Sequence, residues 1–238
     1  MTDLFEQSSQ KLDAAITEIQ HAIATGMANK QRLFETMREL YGEGSANGAW
    51  SQRDAFDLLE AALTRHMAGL LSKPQMLTQI SGISALIEAL PTHTVRSENQ
   101  IRYQQFSTPA GLAALSVILA QPLATDIVLE PSAGHGALVA TLPDVRALHL
   151  NEIDPRRREK LALLFPEATT TGIDGAMLAS HLDAAVQPSL ILMNPPFSRS
   201  MGRGADEFAA VRHLRAAITR LRQGGRIVAI MPDWFTTS

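Results

Sequence analysis

Residues 126–138 read "DIVLEPSAGHGAL". A short apolar run, Ile127–Leu129, meets an acid, Glu130, and then a loop of small residues carrying Gly134 and Gly136. Four to eight apolar residues closed by turn formers suit a strand buried on both faces. Glycines just beyond its end let the backbone turn tightly and come close to a ligand, with the amides of a following helix facing it. The same glycines also suit a strand-to-helix turn with no ligand. The spacing departs from GxGxxG, so it gives little support to a nicotinamide cofactor.

The pattern recurs downstream. "ALHLNEIDP" (147–155), "LILMNPPF" (190–197) and "GRIVAIMP" (225–232) are apolar runs ending in polar clusters, with a weaker strand before "GIDG" (172–175). Helical stretches are expected at 109–119, 155–164 and 206–221. Strands alternating with helices predict βαβ units and a parallel sheet covered on both faces. Such sheets bind ligands at the carboxyl ends of their strands, where every one of these clusters falls.

Residues 1–95 follow another grammar. Leu12, Ile16, Ile19 and Ile23 share one helix face, Leu33, Met37 and Leu40 a second, and Phe56, Leu59, Leu63 and Met67 a third. Ile80, Ile83 and Ile87 mark a fourth helix ended by Pro91, and "GEGSANG" (42–48) is a loop. The expected organisation is an α-helical N-terminal domain over 1–95 and an α/β domain over 96–238. Seven basic residues stand against eleven acidic ones in the first part, and fourteen against thirteen in the second.

The formal net charge of −3 makes the chain no polycation, so any nucleic-acid contact must be a local patch. There is no cysteine, which excludes disulfides, thiolate metal sites and a cysteine nucleophile. A polar start and the lack of a long apolar run predict a cytoplasmic chain with no membrane partner.

Each polar cluster has a functional and a plain reading. Glu152 lies about twenty residues past the first strand's acid, where ribose hydroxyls are met, or is a solvated strand-end carboxylate. Ile153 can lie against an adenine face. Asp154-Pro155 suits a helix cap. Asp174 can accept from an adenine amino group or close an Asp-Gly turn. Ser107-Thr108-Pro109 reads first as a helix cap, and Phe106 and Thr108 join a site only if that helix start faces it. In "NPPF", Asn194 and the Pro195 carbonyl can accept both hydrogens of an exocyclic amine, while Phe197 offers a stacking surface. The plain alternative is an asparagine-capped proline turn. "RRREK" (156–160) and Arg212, Arg215, Arg220 and Arg222 read as solvated helix faces.

Taken in order, "QQFSTP", "LEPSAGHG", "NEIDP", "GIDG" and "NPPF" resemble the S-adenosylmethionine-dependent N6-adenine DNA methyltransferases, in their gamma motif order. The likeness covers about residues 103–235. It is similar also to type I modification subunits and to methylase-like segments of strawberry-notch-type helicase fusions. The resemblance implies a Rossmann-like class I methyltransferase sheet and S-adenosylmethionine as cofactor. Phe106, Thr108 and the Glu130–Gly136 loop (Pro131, Ala133 and Gly134 included) would hold its methionine part. Glu152 would bind its ribose, and Ile153 and Asp174 its adenine. Asn194, Pro195, Pro196 and Phe197 would hold a flipped adenine of DNA, Asn194 also lining the rim of the cofactor cleft, with Arg199 and Arg203 on phosphates. No metal is implied. Such sheets have seven strands and this chain stops after a fifth, so further protein subunits or a C-terminal helicase or recognition region are expected partners. Two other readings remain. One is methylation of a protein glutamine, whose amide is another planar amine. The other is a non-catalytic module that keeps the fold to bind nucleic acid or a partner.

Overall fold

The computed structural model describes residues 2–42, 48–71, 85, 87–91, 108–197 and 208–235. The chain divides into two compact units, Met1–Val95 and Arg96–Ser238. No helix among the described residues is long and apolar enough to cross a membrane.

In the first unit, α1 (Thr2–Ala24), α2 (Lys30–Tyr41) and α3 (Gln52–Leu71) pack together. Leu12, Ile16, Ile19 and Ile23 of α1 are buried, as are Leu33 and Met37 of α2 and Ala55, Leu58 and Met67 of α3. Leu40 and Leu63 are only half-buried, since small alanines rather than Leu63 line the tightest face of α3. Starts and stops are local. Asn29 accepts from the Arg32 amide at 2.9 Å. Ser51 and Asp54 cap α3 reciprocally, at 2.8 and 3.3 Å. Arg65 joins α3 to Asp13 of α1 at 2.6 Å. Of the expected fourth helix, Ile80 and Ile83 lie outside the described residues, as does most of the 42–48 loop; residues 85, 87 and 88 are helical.

The second unit is a parallel sheet. Its strands are β1 (Ile127–Glu130), β2 (Ala147–Asn151), β3 (Thr169–Thr171), β4 (Leu190–Met193) and β5 (Arg226–Ala229), in the spatial order β3-β2-β1-β4-β5. This is the doubly wound order of Rossmann-like folds, and its direction reverses between β1 and β4. Helices α4 (Ala110–Ala120), α5 (Pro155–Leu164), α6 (Leu178–His181) and α7 (Ala209–Arg220) cover it.

Strand residues alternate between two cores. Val128, Leu190 and Leu192 join Val117 of α4 and Leu161 of α5 on one face. Leu129, Ile191 and Met193 join Leu178 of α6 and Ala216 and Ala217 of α7 on the other. All four β4 side chains are fully buried, each contributing about 1.5–3 kcal/mol of apolar burial. At the amino edge, the Asp126 carboxylate accepts from Ser189 Oγ at 2.6 Å, the Leu123 amide at 2.8 Å and Arg226 Nη2 at 2.5 Å. One buried acid thereby clamps β1, β4 and β5 at the end away from the polar clusters.

Two expectations fail here. No α-helix follows the glycine loop: residues 131–141 run as successive turns, with i→i+3 bonds from Gly136 to Ala133, Val139 to Gly136 and Leu142 to Val139. "RRREK" is not wholly a solvated face either, because Arg157 and Lys160 are buried. Lys160 Nζ donates to the Arg156 carbonyl at 3.3 Å.

Candidate functional site

The carboxyl ends of β1 and β4 flank the switch point, and Glu130 and Asn194 stand at those two ends. Glu130 is 2% exposed, and its Oε2 is buried without a hydrogen-bond partner among the described residues. Burial, and then the nearby charge of Glu152, push its carboxyl well above the ordinary range. A buried acid left without a donor is costly, and it favours a bound donor or cation.

The glycine loop is tied to β2. The Ala133 amide donates to the Asn151 carbonyl at 2.8 Å and the Gly134 amide to Glu152 Oε2 at 2.8 Å. The Gly136 amide donates to the Ala133 carbonyl at 2.7 Å. These amides therefore do not wait for a ligand, contrary to the expectation of a helix start presenting free N–H groups. Gly134 turns at φ +58° with open space where a Cβ would go. At Gly136 (φ +80°) a Cβ would lie 2.3 Å from the Phe165 ring. That glycine answers to internal packing against the end of α5 rather than to a ligand. The Pro131 carbonyl is held by Asn151.

Glu152 is not a solvated carboxylate. It is buried, with Oε2 on Gly134 and Oε1 accepting from the Asp154 amide at 2.8 Å. Burial raises its carboxyl; the Asp154 and Gly134 amides and the charges of Arg157 and His135 oppose that rise. Each oxygen keeps a second lone pair. Ile153 beside it is 42% exposed. Asp154 caps α5 as expected, accepting from the Arg156 amide at 2.9 Å, with Pro155 in the first turn. Asp174 closes an Asp-Gly turn: it accepts from the Ala176 amide at 3.0 Å and starts a 3-10 turn, Gly175–Met177.

The Thr108 hydroxyl does not cap α4. Pro109 is the cap residue and no side chain bonds there; Thr108 Oγ1 instead accepts from Asn194 Nδ2 at 3.0 Å. The start of α4 thus meets the loop after β4, the condition under which Thr108 joins the site. Pro195 is buried, Pro196 half-buried, and the Phe197 ring 38% exposed. Phe106, Arg199 and Arg203 lie outside the described residues. Among the helix arginines, Arg220 donates to the carbonyls of Asp183 and Val186, so it is a structural tie rather than a solvated group.

Two residues escaped the sequence reading. Asn151 uses its whole amide: Nδ2 donates to the carbonyls of Pro131 (2.9 Å) and Ile173 (2.8 Å), and Oδ1 accepts from Thr171 Oγ1 and the Ile173 amide, both at 2.8 Å. It fastens the β1 and β3 loops to the end of β2. The only signal was its place before Glu152, an amide closing an apolar strand. His213 of α7 reaches the same two loops, and a lone histidine in a helix carries no signal.

No protein-family model matches the chain, and no curated protein matches it. Among solved structures it is similar to a crystal structure from Pyrococcus horikoshii, of a protein provisionally described as an RNA methyltransferase. That likeness is 19% identical, covers 60% of this chain and 70% of that chain, and has a TM-score of 0.45. The fold rests instead on the chain's own strand order. It is an α/β unit with a Rossmann-like parallel sheet whose switch point lies between Glu130 and Asn194.

Proposed function

We propose that this edge of the sheet binds S-adenosylmethionine and presents it to the N6 amine of an adenine turned out of DNA. The observation that carries the reading is the pair across the switch point: a buried Glu130 at the end of β1, its Oε2 without a partner among the described residues, and Asn194, steadied by Thr108, at the end of β4. The cofactor supplies an electrophilic methyl on a sulfonium and a positively charged amino group. A cation beside Glu130 favours its charged form and relieves the cost of its burial.

The other residues follow the same chemistry. The free lone pairs of Glu152 suit ribose hydroxyls, exposed Ile153 an adenine face, and Asp174 an adenine amino group. Because Asn194 Nδ2 is engaged with Thr108, its oxygen is left as the acceptor for a target amine, alongside the Pro195 carbonyl. Two acceptors on one amine draw its lone pair out of conjugation and hold it toward the methyl group. Phe197 offers a ring for the base to stack on. An adenine stacked in a duplex cannot reach such a site and must be flipped. Arg199 and Arg203 are the proposed phosphate contacts. Further chains or a recognition region would supply sequence choice.

The test is transfer from radiolabelled S-adenosylmethionine to DNA, followed by nucleoside analysis, with N6-methyladenine expected. Label at cytosine N4 overturns the base assignment. Label in protein moves the reading to a glutamine amide. No heat of binding with millimolar S-adenosylmethionine leaves the fold as a non-catalytic module.

A further inference from the structure

His213 lies in α7, the helix that follows the loop after β4, and its ring is buried. It sits between the two loops that Asn151 fastens. Nδ1 lies 3.5 Å from Ser132 Oγ in the β1 loop, and Nε2 lies 3.9 Å from Asp174 Oδ1 in the β3 loop. The ring presses on the backbone of Gly175, where a Cβ would fall 2.5 Å from Nδ1. The residue after Asp174 is therefore a glycine that leaves room for this ring.

An imidazole packed only to fill space would meet carbon. Here both ring nitrogens face oxygen, one hydroxyl and one carboxylate. A neutral ring with its proton on Nε2 presents that N–H toward Asp174 and accepts from the Ser132 hydroxyl. Asp174 Oδ1 is then faced from two sides, by His213 and by the Ala176 amide. Of the other titratable groups on the helices around it, His181 of α6 is exposed and bonded to Ser180 and Met177, and α7 itself carries Arg212 and Arg215.

We propose that His213 is a positioning residue for the cofactor's base: it holds the Asp174 carboxylate in the orientation from which it meets the bound amino group. This rests on the reading of Asp174 given under Proposed function. It adds a residue on the helix beyond the β4 loop to the parts that shape the cofactor end of the site.

The experiment is a double-mutant cycle on the full chain, read as S-adenosylmethionine Kd by calorimetry. His213→Leu is expected to weaken binding about five- to tenfold when Asp174 is present and less than twofold in an Asp174→Asn background, a coupling in the range found for contacting side chains. Equal losses in the two backgrounds overturn the proposal, since a residue that only fills space acts independently of the Asp174 charge. His213→Gln, whose amide nitrogen can stand near the imidazole Nε2 and keep a donor toward Asp174, should recover part of the affinity. His213→Asn, whose shorter arm falls short of Asp174, replaces His213→Leu in the cycle if that variant loses its cooperative melt. Binding by the wild type with additive losses sinks this inference alone. No binding by the wild type sinks the cofactor reading and this inference with it.

Discussion

Thr108 and Asn194, 86 residues apart in sequence, share one hydrogen bond of 3.0 Å, from Asn194 Nδ2 to Thr108 Oγ1. The bond decides which end of the Asn194 amide faces outward. Thr108→Val keeps the shape and removes the acceptor. It should lower the rate of methyl transfer about tenfold, since a misoriented acceptor loses positioning rather than all function. Asn194→Ala should cost about 10²–10³ in rate, the usual loss of one group placed at the reacting centre. Asn194→Ala should hold S-adenosylmethionine within about twofold of the wild type by calorimetry, since its proposed contact is with the target amine.

Glu130 makes a prediction about pH. Burial and then Glu152 raise its carboxyl in the folded chain. The folded state keeps a proton that the unfolded state releases above about pH 4.3. Its contribution to stability is therefore fully present below the unfolded value and is lost as the pH rises through the folded one. Glu130→Gln removes that decline. The variant should melt higher than the wild type at pH 8, with the gap closing toward pH 4, and should bind S-adenosylmethionine at least tenfold more weakly, an order set by loss of a charge-assisted contact. Melting curves across pH and one titration decide it.

The two loop glycines should separate cleanly. Gly136→Ala meets the Phe165 ring at positive φ, and should cost about 3 kcal/mol from strain and overpacking together. Gly134→Ala has open space and should cost about 1 kcal/mol from backbone strain alone. Urea unfolding of both variants checks the difference.

Asp126 and Arg226 hold the opposite edge. Burial raises the Asp126 carboxyl, but bonds from Ser189, Leu123 and Arg226 and the Arg226 charge bring it below its ordinary range. That contribution is present above the unfolded carboxyl range and is lost as the pH falls through the folded value. Arg226→Leu should cost roughly 2 kcal/mol at pH 7, under the figure for a fully buried pair because Arg226 reaches solvent. The loss should shrink in acid.

Much of the second unit was legible because β1 and β4 are apolar on both faces. Ile127–Leu129 and Leu190–Met193 left no other place to go, and Pro155 marked the start of α5. The turns after β1 were not legible: Gly134 and Gly136 are equally at home before a helix, and the Phe165 contact that fixes Gly136 is nearly thirty residues away. Thr108 had the sequence of a cap, yet a distant amide claimed its hydroxyl. Asn151 and His213 act only through what surrounds them, which a linear pattern does not carry.

The engaged amides of the glycine loop also set the sign of what this sheet accepts. In a dinucleotide-binding sheet those amides greet a pyrophosphate. Here Ala133, Gly134 and Gly136 face inward, and three acids, Glu130, Glu152 and Asp174, stand at the ends of three strands. A phosphate at this rim finds those amides already taken. Under the function proposed above, the carboxylates suit a cationic ligand in its place, and a bound cation would draw the proton from Glu130.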